Sequence, residues 1–529
     1  MSGARAPVVV VIVDGLSGGS PDEGPSAIER ALPKTFAMGR AARLVASGER
    51  VGGRDGEPLS AELAHRVLGT GRPQKTIRSR LEASSVDPTL APPIEDVVTY
   101  ASFRAGTVDD FMRLTERNAC TVHVFGLVSD AAPERGASLA SALVESLLDR
   151  ELPVAFHAIT DGRAMPAKSA WRCIEPIADL LERRGTFASI TGSAFALDTT
   201  GDWDKTLAVY HALVMTASED DEEPRHAPTP FEALQDLYDD GFDDHRFPPT
   251  RIGDFSGVYG QLSCDFAARQ PEWQWNAEDV AIFALPSADR ATQLVSVLTR
   301  RDLPDAIASR VMTRGRKVIA FDPTTLVSYA RVPARPEIRA LFADDGGPTI
   351  RSEAARAGRR VATIFEPASR ALATFALEGG SDGESDSEEA KTAAEALARA
   401  SELAKDHDLV LVSLSAFCEA VHAGGEGVRA ALEDVDASLV ALAEALGADG
   451  TLLVTSSHVA PLEPHPERGR ASTGGDVPLL VVGRRASALG DTGTLLDFAP
   501  TVLDALGLDV SALPGASLLS KAAKDAERA

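Results

Sequence analysis

The polar residues that follow the first apolar segment of the chain are the first candidates for chemistry. Val8–Val13 is a continuous apolar run rich in β-branched residues, which is typical of a buried parallel strand. Asp14 and Gly15 come directly after it, and α/β sheets place their ligands at the carboxyl ends of the strands. The sequence therefore predicts that the Asp14 carboxylate lies at a ligand-binding edge of a sheet.

A second stretch with polar side chains lies between Pro58 and Arg72. It reads P-L-S-A-E-L-A-H-R-V-L-G-T-G-R, so a hydroxyl, a carboxylate and an imidazole fall close together at Ser60, Glu62 and His65. A stretch of this kind is also compatible with an ordinary glycine-rich entry to a helix. Its interpretation therefore depends on the rest of the chain.

Strands and helices alternate along the chain, which predicts an α/β protein with a sheet covered on both faces. Further strands are predicted at Thr121–Leu127, Val154–Ile159, Val280–Leu285, Lys317–Phe321, Asp408–Leu414, Thr451–Thr455 and Pro478–Val482. Helices are predicted at Ala27–Val45, Ser138–Asp149, Ser169–Arg183, Ala291–Thr299, Lys391–Lys405 and Val428–Leu446. Residues 16–26 and Gly379–Glu389 are rich in small and polar residues, and loops are predicted there.

Composition excludes several classes of partner. The chain has 529 residues, enough for two or three domains. Its net charge of −25 and pI of about 4.9 disfavour nucleic acid and anionic membranes as partners. No apolar stretch is long enough to cross a bilayer, and the first strand is too short for a signal sequence. The four cysteines form no paired motif, which favours a reducing compartment, the cytoplasm.

The stretch Pro58–Arg72 resembles the nucleophile loop of the cofactor-independent phosphoglycerate mutases, M-G-N-S-E-V-G-H-x-x-L-G-A-G-R. The shared L-G-x-G-R tail sets the register, in which Glu62 and His65 match and Ala61 occupies the position of the nucleophilic serine. Other segments resemble the family's motifs in the same order; they are Val11–Gly15, Asp161–Arg163, Ala188–Asp204, Ala288–Arg290 and Leu496–Leu503. The last of these resembles a carboxyl-terminal signature of the alkaline-phosphatase superfamily.

The resemblance implies an alkaline-phosphatase-like, doubly wound sheet domain interrupted by a second α/β domain, with the site in the cleft between them. The first domain is expected at residues 1–75 and 312–529, and the inserted, transferase-like domain at 76–311. The family interconverts 2- and 3-phosphoglycerate, a step of glycolysis, by intramolecular phosphate transfer through a phosphoserine. Two Mn²⁺ or Mg²⁺ ions assist that transfer.

The resemblance also implies which positions would hold metal. One ion would take Asp14, Ala61, Ser457 and His458, and the other Cys418, His422 and Ser472. Only Asp14, His422 and His458 keep the family's residue type, so metal binding is expected to be weak, limited to one ion, or absent. Cys418 is a ligand type for zinc, although a buried cysteine in the place of a small residue is the plainer interpretation. Glu463 and His465 lie close to His458 in sequence and offer replacement ligands, or else a loop.

The substrate positions are altered as well. A phosphoglycerate carries two anionic groups and needs forked arginine donors. The expected substrate-binding residues that remain are Arg163, Arg290 and Arg356, each of which also has an ordinary interpretation as a surface salt-bridge residue. Other family positions hold Glu134, Ala164, Ser193, Thr199 and Ser287 in place of a histidine, an aspartate and three arginines.

Three hypotheses follow. The first is a pseudoenzyme with the mutase fold, a binding or regulatory role, an unidentified protein partner or phosphorylated small molecule as ligand, and a monomeric state. The second is a metal-dependent hydrolase of the alkaline-phosphatase superfamily with an altered nucleophile at Ser60, Thr70 or Cys418. The third is a divergent but active mutase, which requires a different register at Ala61.

Overall fold

A computed structural model describes most of the chain. The described residues are 6–18, 26–53, 57–75, 121–131, 136–149, 151–214, 224–258, 273–275, 279–285, 289–312, 326–328, 332, 338–340, 347–370, 373, 386–423, 427–460 and 475–519. Several predicted features lie outside them, namely the strand at Lys317–Phe321 and the side chains of Glu134, Ser287, Glu463, His465 and Ser472.

The described residues contain strands and helices in alternation. The strands are β1 (Val8–Val13), β2 (Gly39–Val45), β3 (Val122–Val128), β4 (Val154–Thr160), β5 (Gly185–Gly192), β6 (Arg225–Ala227), β7 (Thr250–Ile252), β8 (Phe255–Val258), β9 (Trp273–Trp275), β10 (Val280–Ala284), β11 (Leu326–Ser328), β12 (Arg339–Ala340), β13 (Val361–Phe365), β14 (Asp386–Glu389), β15 (Leu409–Leu414), β16 (Thr451–Thr455), β17 (Val477–Gly483) and β18 (Thr492–Thr494).

The α-helices follow the same order. They are α1 (Ser26–Ala31), α2 (Pro33–Phe36), α3 (Ala61–Thr70), α4 (Gly136–Leu148), α5 (Trp171–Leu181), α6 (Ser193–Ala196), α7 (Trp203–Val214), α8 (Pro230–Asp239), α9 (Thr292–Thr299), α10 (Asp305–Met312), α11 (Ile350–Arg356), α12 (Ala393–Leu403), α13 (Ala416–Ala423), α14 (Gly427–Leu446) and α15 (Phe498–Ala505). No helix among the described residues is long and apolar enough to cross a membrane.

The first of two compact units comprises residues 1–76, 345–464 and 470–529. Its sheet has the strand order β14-β13-β15-β1-β16-β17-β2-β18, with β1 in parallel between β15 and β16. Alternate residues of β1 enter two hydrophobic clusters, Val8, Val10 and Ile12 on one face and Val9, Val11 and Val13 on the other. Burial on both faces explains the continuous apolar run, and it confirms the predicted parallel strand.

The second unit comprises residues 77–344 and 465–469. Its main sheet has the order β12-β11-β10-β3-β4-β5-β7-β6, in which β3, β4, β5 and β10 are parallel. Two hydrophobic clusters cover the described parts of its faces, one containing α4 and α5 and the other containing α7 and α9. Each unit is therefore an α/β layer structure, as predicted.

The structure differs from two sequence predictions. The second half of the predicted helix Ala27–Val45 is strand β2, in which Ala42 and Leu44 are buried at a period of two and Gly39 approaches the Val481 carbonyl too closely for any Cβ. Part of the predicted loop Gly379–Glu389 is the edge strand β14. Strands β11 and β12 pair within the second sheet, and the domain boundary at residue 311 stays a prediction.

Candidate functional site

Asp14 lies at the carboxyl end of β1, at the centre of the first sheet. Its backbone amide donates to the Leu414 carbonyl at the end of β15 (3.0 Å), and its side chain is buried. Gly15 turns the chain there with φ +96°, and a Cβ at this position would lie 3.0 Å from Ala460. The glycine is required for this turn, because a side chain would be strained and crowded. The turn directs the Asp14 carboxylate toward the loop that follows β16.

Two serines in that loop hold Asp14 and its surroundings. Ser456 Oγ accepts from the Gly15 amide (3.1 Å) and donates to the His458 carbonyl (2.7 Å). Ser457 Oγ donates to Asp14 Oδ1 (2.6 Å) and also lies 2.8 Å from His458 Nδ1. A hydroxyl has one proton to donate, and Ser457 donates it to the Asp14 carboxylate. The second contact is therefore a hydrogen bond from His458 Nδ1–H to Ser457 Oγ. This arrangement leaves the lone pair of His458 on Nε2.

Cys418 faces that lone pair. Its Sγ lies 3.5 Å from His458 Nε2, and His458 Nδ1 is 4.0 Å from Asp14 Oδ1. Cys418 is on α13, the helix that follows β15, and His422 is four residues further along the same helix. That spacing places Cys418 and His422 on one helix face. The structure thus brings Asp14, Ser457, His458 and Cys418 into one connected cluster.

Helix α3 explains the roles of Ser60 and Ala61. Ser60 is the N-cap, and its Oγ accepts from the Leu63 amide (3.3 Å). Ala61 is the first helical residue, and its carbonyl accepts from His65 Nδ1 (2.8 Å). The other ring nitrogen of His65, Nε2, is fully buried and faces Asp14 Oδ2 at 3.4 Å. His65, one turn into α3, thus faces Asp14, while the position that resembles the nucleophile, Ala61, carries a methyl group.

The far end of α3 shows why its tail and the carboxyl-terminal signature occur together. Gly71 caps the helix with φ +62°, and a Cβ there would lie 3.1 Å from the Cβ of Ala499 in α15. Asp497 accepts from the Thr494 amide (2.7 Å), and Thr501 Oγ1 donates to the Asp497 carbonyl (2.6 Å). These residues pack against α3 and do not belong to the cluster around Asp14.

One buried carboxylate in this region was missed at the sequence level. Glu366 follows β13, and its Oε2 accepts from the backbone amides of Ser415 (2.6 Å) and Ala416 (2.8 Å) at the start of α13. Burial raises the pKa of Glu366, and the negative charge of Asp14 adds to that shift. The signal was present in the sequence, since an acidic residue directly after the apolar run Val361–Phe365 repeats the pattern of Asp14.

The described residues do not fit a pair of divalent ions. No three histidine, cysteine, aspartate or glutamate side chains among them are grouped as metal ligands. Asp14 Oδ1 already accepts a hydrogen bond from Ser457, and Glu366 Oε2 accepts from backbone amides. Two close divalent ions need several carboxylates to offset their charge. Asp14 and His458 lie close together, and His422 is on α13, the helix that carries Cys418.

A second polar cluster lies at the carboxyl ends of the strands in the second unit. Asp161 follows β4 and accepts from Ser129 Oγ (2.7 Å), from the Arg163 amide (2.9 Å) and from the Ala164 amide (3.2 Å). This turn fixes Arg163, whose side chain is partly exposed. Gly162 has no room for a side chain, because its Cβ would lie 2.4 Å from the His245 amide nitrogen.

His245 is at the centre of this second cluster, and no sequence motif indicated it. Ser193, which follows β5, places its Oγ 2.9 Å from His245 Nδ1. Burial and the positive charges of Arg163 and Arg290 lower the pKa of His245, the charges of Asp161 and Asp243 oppose them, and the net pKa is about 4. Arg290, which follows β10, therefore lies near the same imidazole.

The other predicted substrate residues are elsewhere. Arg356 is on the surface of α11, where it pairs with Glu353 at 3.0 Å, as an ordinary exposed salt bridge does. Thr199 lies between α6 and α7, next to Asp198, which caps that turn by accepting from the Asp202 amide (3.0 Å). Arg163, Arg290 and Ser193 belong to the second unit, and Arg356 belongs to the first.

Comparison with known proteins agrees with this architecture. Residues 94–331 match the family model of the BPG-independent PGAM N-terminus, and residues 359–510 match the Metalloenzyme superfamily. A 2,3-bisphosphoglycerate-independent phosphoglycerate mutase of Natronomonas pharaonis is 29% identical, over 97% of this chain and 99% of that one. The corresponding mutase of Coxiella burnetii is 28% identical over 95% of each chain.

A solved structure shows the same fold. The phosphoglycerate mutase of Leishmania mexicana, determined at low cobalt concentration, superposes with a TM-score of 0.73 at 18% identity, and the match covers 97% of both chains. The chain is thus an α/β protein of the alkaline-phosphatase superfamily of metalloenzymes. Within that superfamily it is a cofactor-independent phosphoglycerate mutase-like protein.

Proposed function

We propose that this protein is a phosphoglycerate mutase-like pseudoenzyme, which binds a phosphorylated small molecule and does not transfer its phosphate. The observation that carries the proposal is the structure around Asp14. The residue at the start of α3 is Ala61. The hydroxyl of the adjacent Ser60 accepts a hydrogen bond from the Leu63 amide and so caps the helix. Phosphate transfer through the enzyme needs a nucleophile at this place, and a methyl group cannot be phosphorylated.

The positions at which the resemblance expects metal ligands are altered as well. Ser457 stands where the resemblance expects a carboxylate, and its hydroxyl is bonded to Asp14 itself. The charge that would attract a divalent ion is therefore smaller, and one oxygen of the remaining carboxylate already accepts a hydrogen bond. We infer weak binding of at most one ion. Without metal ions, the negative charge of a transferring phosphoryl group would not be neutralised.

A hydrolase with an altered nucleophile is the second candidate, and one observation favours it. Cys418 Sγ is 3.5 Å from His458 Nε2, and Ser457 connects His458 to Asp14. A thiol beside an oriented imidazole is the arrangement of many cysteine nucleophiles. The other two alternative nucleophiles are bonded within α3 or its cap, since Thr70 Oγ1 donates to the Arg66 carbonyl at 2.6 Å.

A coupled assay separates these candidates. The purified protein, prepared from a host that lacks its own mutase, is given 3-phosphoglycerate with Mn²⁺ or Co²⁺, and the 2-phosphoglycerate formed is detected with enolase. We expect no turnover above the protein-free control. Turnover that depends on added metal would refute the pseudoenzyme proposal. Release of phosphate from a generic phosphate ester, abolished by Cys418→Ser, would instead support the hydrolase.

The proposal includes a cytoplasmic location and a monomeric state. The described cysteines, Cys173 and Cys418, are buried and form no disulfide, which fits a reducing compartment. The ligand is expected in the second unit, where Arg163 and Arg290 lie near one imidazole. In a regulatory role, a protein partner would bind only the ligand-bound form of this protein. Co-purification of partners from the native cell, with and without 3-phosphoglycerate, tests for such a partner.

A further inference from the structure

His245 belongs to no motif that the resemblance covers, yet it lies at the centre of the cluster in the second unit. Its ring is partly buried, and its Nδ1 is 2.9 Å from the Oγ of Ser193, a residue that is itself buried. The backbone of His245 packs against two glycines, because Cβ atoms at Gly162 and Gly192 would lie 2.4 Å and 2.3 Å from its amide nitrogen and carbonyl oxygen. The imidazole is therefore held in a fixed place beside the turns that follow β4 and β5.

The charges that face this imidazole come from several elements. Arg163 follows β4 and Arg290 follows β10, while Asp161 precedes Arg163 and Asp243 lies in the same loop as His245. The two arginines and burial keep the ring neutral, with a pKa of about 4. All of these groups lie at the carboxyl ends of parallel strands, the edge where α/β sheets bind ligands.

We propose that His245 couples the binding of an anionic group in the second unit to the uptake of one proton. This inference rests on the proposed function in one respect, because it assumes that the ligand is a phosphate ester that stays bound and is not consumed. An anion held by Arg163 and Arg290 offsets their positive charge at the imidazole. The protonated ring then becomes a charged donor toward the anion, as well as a partner of Ser193.

Linkage gives the direction and size of the effect. In the free protein His245 takes up a proton only near pH 4. If the bound anion returns its pKa to about 6.5, the ordinary value, the ligand binds more tightly as the pH falls through that value. Between pH 7.5 and pH 5.5 the dissociation constant should then fall by about tenfold. A dianion should gain more than a monoanion, so the site selects phosphate monoesters over simple carboxylates.

Sulfate is the best probe, because it is a dianion that does not titrate in this range. Its affinity is measured by calorimetry on the full-length protein at pH 5.5, 6.5 and 7.5. We expect the affinity of the wild-type protein for sulfate to rise about tenfold from pH 7.5 to pH 5.5. His245→Gln, which keeps an amide for Ser193, should bind sulfate with no dependence on pH. His226→Gln, at an exposed histidine of the same unit, is the matched control and should behave as wild type.

The arginines are tested in parallel. Arg163→Gln and Arg290→Gln should each weaken sulfate binding at least tenfold, while Arg183→Gln, at an exposed arginine paired with Asp149, should not. NMR of histidine-labelled wild-type protein gives a second readout that needs no variant. The ring resonances lost in His245→Gln should show a pKa near 4 without sulfate and near the ordinary 6.5 with it.

Three results would overturn the inference: no sulfate binding by wild type, an unchanged pH dependence in His245→Gln, or a His245 resonance that does not respond to sulfate. Failure of the proposed function looks different. Turnover in the coupled mutase assay would remove the pseudoenzyme proposal and leave the sulfate profile as it is. A flat sulfate profile with no turnover would remove only the inference.

Discussion

Replacing Ser457 with aspartate tests whether the cluster around Asp14 is stable because it lacks a second carboxylate. The wild-type hydroxyl donates to Asp14 Oδ1 at 2.6 Å, and a buried hydrogen bond to a charged group contributes about 1.5–3 kcal/mol. The new carboxylate would lie about 4 Å from Asp14, where two like charges repel by about 4 kcal/mol at an effective dielectric constant near 20. We therefore expect Ser457→Asp to lose on the order of 5 kcal/mol of unfolding free energy without metal.

The assay is thermal unfolding with excess chelator and with Mn²⁺. For a unit of this size, each kcal/mol lowers the midpoint by about 2–4 °C, so the variant should unfold roughly 10–20 °C below wild type in chelator. Mn²⁺ between the two carboxylates removes the repulsion, and ligand at a hundred times its dissociation constant adds about 2.7 kcal/mol. Wild type should respond to Mn²⁺ by no more than a degree or two.

Ser457→Asn is the matched control, because it has nearly the same shape as aspartate and no charge. It should lose only the hydrogen-bond contribution and should not be rescued by Mn²⁺. A Ser457→Asp protein as stable as wild type in chelator would refute the geometry given for Ser457 and Asp14. Equal rescue of the aspartate and asparagine variants would show that Mn²⁺ binds elsewhere.

Three further predictions concern single residues. Ala61→Ser alone should give no turnover in the coupled assay with Mn²⁺, because the new hydroxyl would lack a metal to activate it; a rate within a hundredfold of an active mutase would contradict this. The depressed pKa of His157, caused by burial and by His123, means that the unfolded chain binds the proton more readily. The contribution of His157 to the free energy of unfolding should therefore be fully retained above pH 6.5 and fall by up to about 1.4 kcal/mol per pH unit below it in urea titrations, in addition to a similar contribution from His245, and His226→Gln should leave that slope unchanged. Glu366→Ala should cost about 2 kcal/mol in the same titrations, because two amides at the start of α13 lose their acceptor, and a loss below 0.5 kcal/mol would contradict the contacts.

The first site could be predicted from the sequence wherever a local pattern carried it. The apolar run Val8–Val13 could only be a strand buried on both faces, so Asp14 had to lie at its carboxyl end. The resemblance predicts that Ala61 and His458 belong to the same site; in the structure His65 and His458 lie 3.4 Å and 4.0 Å from Asp14. The domain boundaries at 75 and 311 remain a prediction, although β11 and β12 pair within the second sheet.

Features set by contacts distant in sequence could not be predicted. The segment Gly39–Val45 has the composition of a helix, and it becomes a strand because β17 pairs with it from more than 400 residues away. His245 lies in an acidic loop that has no motif, and only the folded sheet brings it to Ser193 and Arg163. Glu366 had a local signal, but its role as acceptor for α13 depends on the neighbouring strand β15.

The two clusters share one chemical change. Where the resemblance expects a charged side chain, a carboxylate at 457 and a guanidinium at 193, this chain has a serine. Each serine hydroxyl pairs with the ionisable group that remains, Ser457 with Asp14 and His458, and Ser193 with His245. A buried charge without its partner is costly, so loss of a metal or of an arginine would destabilise an unchanged cluster. The serine hydroxyls supply partners for Asp14, His458 and His245 within the protein itself, which is the kind of compensation that the proposed pseudoenzyme would need for a stable fold.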